Sequence, residues 1–229
     1  MQIDGKSLET FGAKLSSFRC NGTAIKNNYY IPPQGTTPIY IGSENQGKVI
    51  SLRVILTGND ADTNYQAYSR LKLALNRCTL HPANSIFFYD VIMTDDSISA
   101  FFKKTPKEAE FTFTGVQYTA PQSVTMSSTS LTVTNTGTAD TPFVMTIKPS
   151  APSTLLGHVG NTNIAINGMI AGNTYILDSE KGKFTENGKN SIDKYVGVIF
   201  PVLKPGANYV SFALISNMDI KITWKPRWI

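Results

Sequence analysis

Alternation of apolar and polar residues constrains this chain more than any other feature of its sequence. Phe111 and Phe113 alternate with Thr112 and Thr114. Strict alternation is typical of a strand with one buried face, because successive side chains point to opposite sides of a sheet. The pattern recurs in residues 131–134, 143–147, 164–166 and 220–224. Short strands at this spacing predict a mainly β chain.

One segment departs from the β pattern. A strand predicted at residues 48–57 ends at the sequence Gly-Asn-Asp of residues 58–60, where Asn59 or Asp60 can accept the free amide hydrogens of a helix N-terminus. Apolar side chains then recur at spacings of three and four residues: Tyr65, Tyr68, Leu71 and Leu75. This spacing predicts a helix at residues 61–77 whose Tyr and Leu stripe faces the core.

A change in composition divides the chain into two domains. Residues 119–129 are rich in Ser, Thr, Pro and Gln, which is typical of a boundary, and we predict domains at residues 1–120 and 121–229. In the second domain the dipeptides Asn167-Gly168 and Asn187-Gly188 favour type I′ hairpin turns, because both central positions of that turn need positive φ. The pattern predicts a β-sheet with one helix followed by an antiparallel β-sandwich.

A hairpin with four aromatic residues is expected near the end of the first domain. Its strands are residues 85–94 and 98–103, joined by a turn at residues 94–97 with Asp95 and Asp96 at a solvated tip. The aromatic residues are Phe87, Phe88, Phe101 and Phe102. We predict that they form an oligomer interface, since aromatic side chains bury large areas; the alternative is that they belong to the core. The basic tract at residues 103–107 is interpreted as a solvated loop or as a surface for an acidic partner or DNA.

Charge and hydropathy limit the partners and the location of the chain. The 21 Lys and Arg residues against 16 Asp and Glu residues give a net charge of +5 spread over 229 residues, so no specific nucleic-acid binding is predicted. No apolar run reaches the roughly 18 residues of a membrane-spanning helix, and no apolar segment typical of a secretory signal follows the first residues. We therefore expect no membrane association and synthesis in a cytoplasm.

The sequence lacks the residue patterns that catalysis requires. Cys20 and Cys78 have no neighbouring cysteine partner, and we expect two reduced thiols. His81 and His158 are the two histidines, too few for a zinc site or for a conventional nucleophile-histidine arrangement. We predict that the chain is not an enzyme and that it has no catalytic, cofactor-binding or metal-binding residues.

Four stretches of this sequence resemble the distal tail protein (Dit) family of long-tailed, siphovirus-type phages and prophages of Gram-positive bacteria. They are residues 11–15, 50–60, 133–142, and 200–208 together with 220–228. They occur in order along essentially the whole chain, and this order carries more weight than any single stretch.

The resemblance implies an architecture and a role. The N-terminal domain would be a tail-tube-like β-sandwich with one helix, forming a hexameric ring around a channel for DNA, and the C-terminal domain a galectin-like β-sandwich. The protein would be a virion hub at the tail tip, assembled in the host cytoplasm. Its partners would be the tail tube protein above and the tail-associated lysin or tip protein below, with receptor-binding proteins as further partners.

Two functions of other classes stay open on the residues alone. The sandwich pattern of the second half, with its Trp and Tyr content, is also typical of a carbohydrate-binding module that recognises a host cell-surface glycan. A glycan-degrading tail enzyme would need two carboxylates facing each other in a cleft, and no pattern in the sequence places such a pair.

Overall fold

The computed structural model describes residues 1–22, 25–33, 37–45, 47–99, 107–197, 199–213 and 215–229. The chain divides into two compact units, Met1–Gln117 and Tyr118–Trp228. Each unit has its own hydrophobic core. No helix among the described residues is long and apolar enough to span a membrane.

Over its described residues, the first unit contains nine strands, one α-helix and a 3-10 helix at Leu8–Phe11. Its strands are β1 (Gln2–Ile3), β2 (Lys6–Ser7), β3 (Ala13–Cys20), β4 (Ile25–Tyr30), β5 (Ile39–Asn45), β6 (Lys48–Leu56), β7 (Arg77–His81), β8 (Phe87–Ile98) and β9 (Lys107–Thr119). Seven of them form a sheet in the order β2-β1-β7-β8-β9-β6-β3, and β4 pairs with β5 in a sheet of its own.

Strand β6 lies inside the larger sheet and carries the clearest alternation. Every second residue is buried, with Ile50, Leu52 and Val54 fully enclosed. The strand pairs antiparallel with β3 on one side and with β9 on the other, where Leu52 lies opposite Phe111. Because its neighbours supply buried partners on the same face, β6 anchors the first core.

The helix α1 (Ala61–Leu75) packs on this sheet. Asp60 is its N-cap, and the Asp60 carboxylate accepts a 2.7 Å hydrogen bond from the Thr63 amide. Leu71 and Leu75 are fully buried, whereas Tyr65 is 61% exposed. The predicted helix is confirmed, but it ends at Leu75 and not at residue 77, because Arg77 begins β7. Its buried stripe includes Ala67 in place of Tyr65.

In the part of the chain that the structure describes, the second unit contains thirteen strands and a 3-10 helix at Ile192–Lys194. One sheet is formed by β10 (Gln122–Thr125), β12 (Thr141–Pro149), β15 (Tyr175–Asp178), β16 (Lys183–Glu186), β17 (Lys189–Asn190), β19 (Val202–Leu203) and β21 (Met218–Trp224). The other sheet is formed by β11 (Ser130–Asn135), β13 (Ser153–Val159), β14 (Thr162–Met169), β18 (Tyr195–Val196) and β20 (Gly206–Phe212). A last short strand is β22 (Arg227–Trp228).

The two sheets of the second unit share one core. The larger sheet contributes Phe143, Met145 and Ile222, and the five-stranded sheet contributes Leu155 and Phe212, all almost fully buried. Side chains from both inner faces therefore form a single layer, as in an antiparallel β-sandwich. The predicted fold class, mainly β with one helix in the first half and an antiparallel sandwich in the second, is confirmed.

The predicted hairpin turn at residues 94–97 is wrong, because β8 continues through it. The Thr94 hydroxyl donates a 3.1 Å hydrogen bond to the Thr112 carbonyl of β9. Asp96 accepts a hydrogen bond from the Tyr68 hydroxyl and forms a 2.8 Å ion pair with Lys72. Tyr68 and Lys72 both lie on α1. The helix therefore holds this part of β8, and Asp96 does not lie at a solvated turn.

The two Asn-Gly dipeptides differ in outcome. Asn187 and Gly188, with φ of 48° and 80°, form a two-residue turn in which Glu186 pairs with Lys189, as predicted. Asn167 and Gly168 lie within β14, so the turn predicted there is wrong. They face the single residue Thr154, since the register between β13 and β14 shifts there. The positive φ of Gly168, 62°, therefore serves a β-bulge.

Glu186 is the centre of a polar network in the second unit. The Glu186 carboxylate accepts hydrogen bonds of 2.6 Å from the Tyr175 hydroxyl and 2.7 Å from the Asn173 amide. It also pairs with the Lys194 ammonium at 2.7 Å, and the Glu186 side chain is only 17% exposed. Lys194 first, and then Tyr175 and Asn173, lower the pKa of Glu186 to about 2.

Leu71→Ala should destabilise the first unit by about 3 kcal/mol, because it removes a fully enclosed side chain and leaves a cavity. Hydrogen exchange of the β6 amides measures this loss. Tyr65→Ala, on the exposed side of the same helix, is the matched control and should change protection by less than about 0.5 kcal/mol. Equal effects of the two substitutions would contradict the packing described for α1.

Glu186→Gln should destabilise the second unit at neutral pH, and the difference from the parent protein should shrink as the solution is acidified. The folded-state pKa lies below the ordinary value of 4.5, so the carboxylate contributes stability above about pH 4.5 and loses it as the pH falls towards 2. Urea unfolding followed by tryptophan fluorescence measures this, since Trp224 and Trp228 both lie in this unit. Asp193→Asn, an exposed carboxylate, is the control; a pH-independent offset for Glu186→Gln would contradict the network.

Candidate functional site: an exposed apolar arm

Strands β4 and β5 form a two-stranded arm, defined here as residues 25–33 and 37–45. The arm follows directly from the β3–β6 pair: Cys20 lies opposite Ile50, and the Asn21 amide donates a 2.9 Å hydrogen bond to the Val49 carbonyl. Within the arm, Tyr29 lies opposite Tyr40. Strands β3 and β6 belong to the larger sheet, whereas β4 and β5 form a separate two-stranded sheet.

The arm exposes large apolar side chains. Six of them are more than half exposed: Tyr29 60%, Tyr30 51%, Ile31 51%, Ile39 54%, Tyr40 64% and Ile41 69%. Residues 28–42 contain no Asp, Glu, Lys or Arg. Charged side chains keep exposed strands from associating, and residues 28–42 of the arm have none.

Such a ribbon lacks the usual sources of stability of a β-structure. A two-stranded hairpin is marginally stable in water unless a further strand or a packed face supports it. Each exposed tyrosine presents on the order of 100 Å² of mainly apolar surface, so the six side chains together approach the roughly 800 Å² that one partner buries in a standard protein interface. The arm is the strongest candidate for an assembly surface among the described residues.

Two of the four aromatic residues predicted at an interface are described. Phe87 packs against the first core, and Phe88 stacks on His81 with ring centroids 4.2 Å apart and planes 12° apart. Phe101 and Phe102 lie outside the described residues, as does most of the basic tract at residues 103–107. Their role in an interface stays a prediction.

The sequence interpretation missed the arm, although a signal for it was present. The uncharged run of residues 28–42, with three tyrosines and three isoleucines, has the composition of buried strands. The alternation of apolar and polar residues cannot distinguish a strand that is buried within its own subunit from one that is buried only against another chain, because both need apolar side chains.

The ionisable groups that join helix α1 to strand β8 are partners of one another. Burial, followed by the hydrogen bond to Asp96, raises the pKa of Tyr68 to about 12. Lys72 and Tyr68 hold the pKa of Asp96 below its usual value. The three groups therefore serve the packing of the first unit.

The thiols and potential metal ligands are dispersed. Cys20 and Cys78 are both free, and burial raises the pKa of Cys78 to about 12, which disfavours the reactive thiolate. Among the residues that the structure describes, no group of three or more His, Cys, Asp or Glu side chains could hold a metal ion.

Comparison with known protein families finds a match in the second unit. Residues 136–228 match the family described as siphovirus-type tail component, C-terminal domain. No curated protein matches the chain.

Solved structures match over nearly the whole chain. The crystal structure of SPP1 Dit, described as a paradigm of the hub adsorption apparatus in phages that infect Gram-positive bacteria, matches with a TM-score of 0.78 and 12% identity, covering 99% of this chain and 98% of that one. Two structures of the phage p2 baseplate in its activated conformation also match, each covering 93% of this chain and 90% of that one. The structure with Ca has a TM-score of 0.54 and 11% identity, and the structure with Sr has a TM-score of 0.53 and 12% identity.

These matches agree with the four stretches that resemble distal tail proteins. The resemblance is confirmed: residues 136–228 match the siphovirus-type tail component, C-terminal domain family, and the chain as a whole has the fold of SPP1 Dit.

Proposed function

We propose that this chain is a structural hub protein of a phage tail tip or baseplate, and that its copies form a hexameric ring with a central channel for DNA. The observation that carries the proposal is the match to SPP1 Dit over 99% of this chain and 98% of that one, because it includes both units and their order. SPP1 Dit is itself described as a hub of an adsorption apparatus.

The arm provides a physical means of self-association. A ring of identical subunits needs a heterologous interface, in which one surface of a subunit contacts a different surface of the next. The uncharged stretch of the arm, residues 28–42, suits such an interface, since burial of its six exposed apolar side chains is favourable and buries no charge of that stretch.

The proposed partners follow from the position of a hub. The ring would join the tail tube protein on one side to the tail-associated lysin or tip protein on the other, with receptor-binding proteins as further partners, and it would reside in the virion after assembly in the host cytoplasm. We propose no enzymatic role. The net charge of +5 over 229 residues suits a channel that DNA must traverse without strong binding.

The double substitution Tyr40→Ser with Ile41→Ser should abolish ring formation, because it removes the two most exposed apolar side chains of β5. Light scattering of the parent protein should give about 150 kDa, six times the chain mass of 25.1 kDa, and that of the variant should give the mass of one chain.

Ile170→Ser is the matched control. Ile170 is 55% exposed and lies in the second unit, so this substitution should leave the mass unchanged. A parent protein that stays monomeric at every concentration would contradict the ring, and a double variant that still forms the ring would contradict the role of the arm.

A further inference from the structure

The five-stranded sheet of the second unit is free of charged residues. Strands β11, β13, β14, β18 and β20 comprise 30 residues and contain no Asp, Glu, Lys or Arg. With 16% charged residues in the chain, about five would be expected. The opposite sheet carries seven charged residues, which are Lys148, Asp178, Lys183, Glu186, Lys189, Asp219 and Lys221.

The outer face of this sheet has a regular arrangement of neutral polar groups. The strand registers place four side chains in one row across neighbouring strands, namely Ser130, Ser211, His158 and Asn163. At about 4.8 Å between strands the row is roughly 14 Å long. The row presents two hydroxyls, an imidazole and an amide. Each of these groups can form hydrogen bonds in its uncharged form.

Apolar side chains flank the polar row on both sides. On one side lies Tyr209, which is 52% exposed and whose ring centroid is 5.7 Å from that of His158. On the other side Leu156 and Val196, 50% and 56% exposed, lie in register with Ala165 between them. A polar strip between two apolar margins therefore runs across the sheet.

Two grooves border the same face. A groove of about 650 Å³ is lined by Asn163, Val196 and Ile199, and one of about 320 Å³ is lined by Thr154 and Leu156. The face thus combines exposed apolar surface, neutral hydrogen-bonding groups and concave margins.

We propose that this face binds a neutral saccharide. Sugar rings have hydroxyl edges that exchange hydrogen bonds with hydroxyls, amides and imidazoles, and apolar C–H faces that pack on aromatic side chains such as Tyr209. The five strands have no Asp, Glu, Lys or Arg to pair with a charged ligand, which suits an uncharged one. The proposed site lies in the second unit and does not depend on the ring proposed above.

Other classes of ligand fit this face less well. Nucleic acids and anionic polymers are bound through Lys and Arg, which the five strands lack. The cores of protein interfaces are depleted of Ser and Ala, whereas Ser211 and Ala165 lie in the middle of this face. The large side chains Tyr209 and Leu156 are also separated by the polar row instead of forming one apolar patch.

Titration of the full chain with saccharides tests the proposal. The probes are neutral gluco- and galacto-oligosaccharides, with poly(glycerol phosphate) as a hydroxylated but anionic polymer, and binding is followed by saturation-transfer NMR and calorimetry. We expect a neutral oligosaccharide to bind and the anionic polymer not to bind. Tyr209→Ala should weaken binding by roughly 3- to 10-fold, and Asn163→Ala should also weaken it.

Tyr65→Ala, which removes an exposed tyrosine from the first unit, is the matched control and should leave the affinity unchanged. Three results would overturn the proposal: no binding of any neutral probe at millimolar concentration, equal affinity of the Tyr209→Ala variant and the parent protein, or a change of particle mass on Tyr209→Ala in light scattering. The last result would make the face a contact between copies of the chain.

Discussion

The pairing of β3 with β6 is the interaction on which the first unit depends. It aligns the buried side chains of β6 with the core and holds the strand between two neighbours. Strands β4 and β5 lie between β3 and β6 in the sequence, and they pair with each other to form the arm. The arm is a two-stranded sheet of its own, and its exposed tyrosines and isoleucines lack the burial that stabilises other strands.

The second unit separates two physical roles between its sheets. The larger sheet carries the charged residues, including the Glu186 network with Tyr175 and Lys194. The five-stranded sheet carries none and presents hydroxyl, amide, imidazole and aromatic groups instead. Both inner faces supply the same core, so the difference in charge does not arise from packing. It points to different surroundings for the two outer faces.

Local sequence patterns predicted those elements whose determinants are close in the chain, such as the Asp60 cap and the Leu71 and Leu75 spacing of α1. The Asn187-Gly188 turn was predicted correctly because its two residues make the turn by themselves. Elements that depend on distant residues could not be predicted in this way. Asp96 continues a strand because Tyr68 and Lys72 of the helix hold it. The uncharged face of the second unit becomes recognisable only when five separate strands are assigned to one sheet, and the arm was missed because its composition resembles that of a buried strand.

We propose that this chain acts through its shape, by assembling with copies of itself. Negative-stain electron microscopy of the purified protein distinguishes a ring from single chains. We expect ring-shaped particles with six-fold symmetry and an open centre. A uniform population of single 25.1 kDa particles at every concentration would contradict the claim.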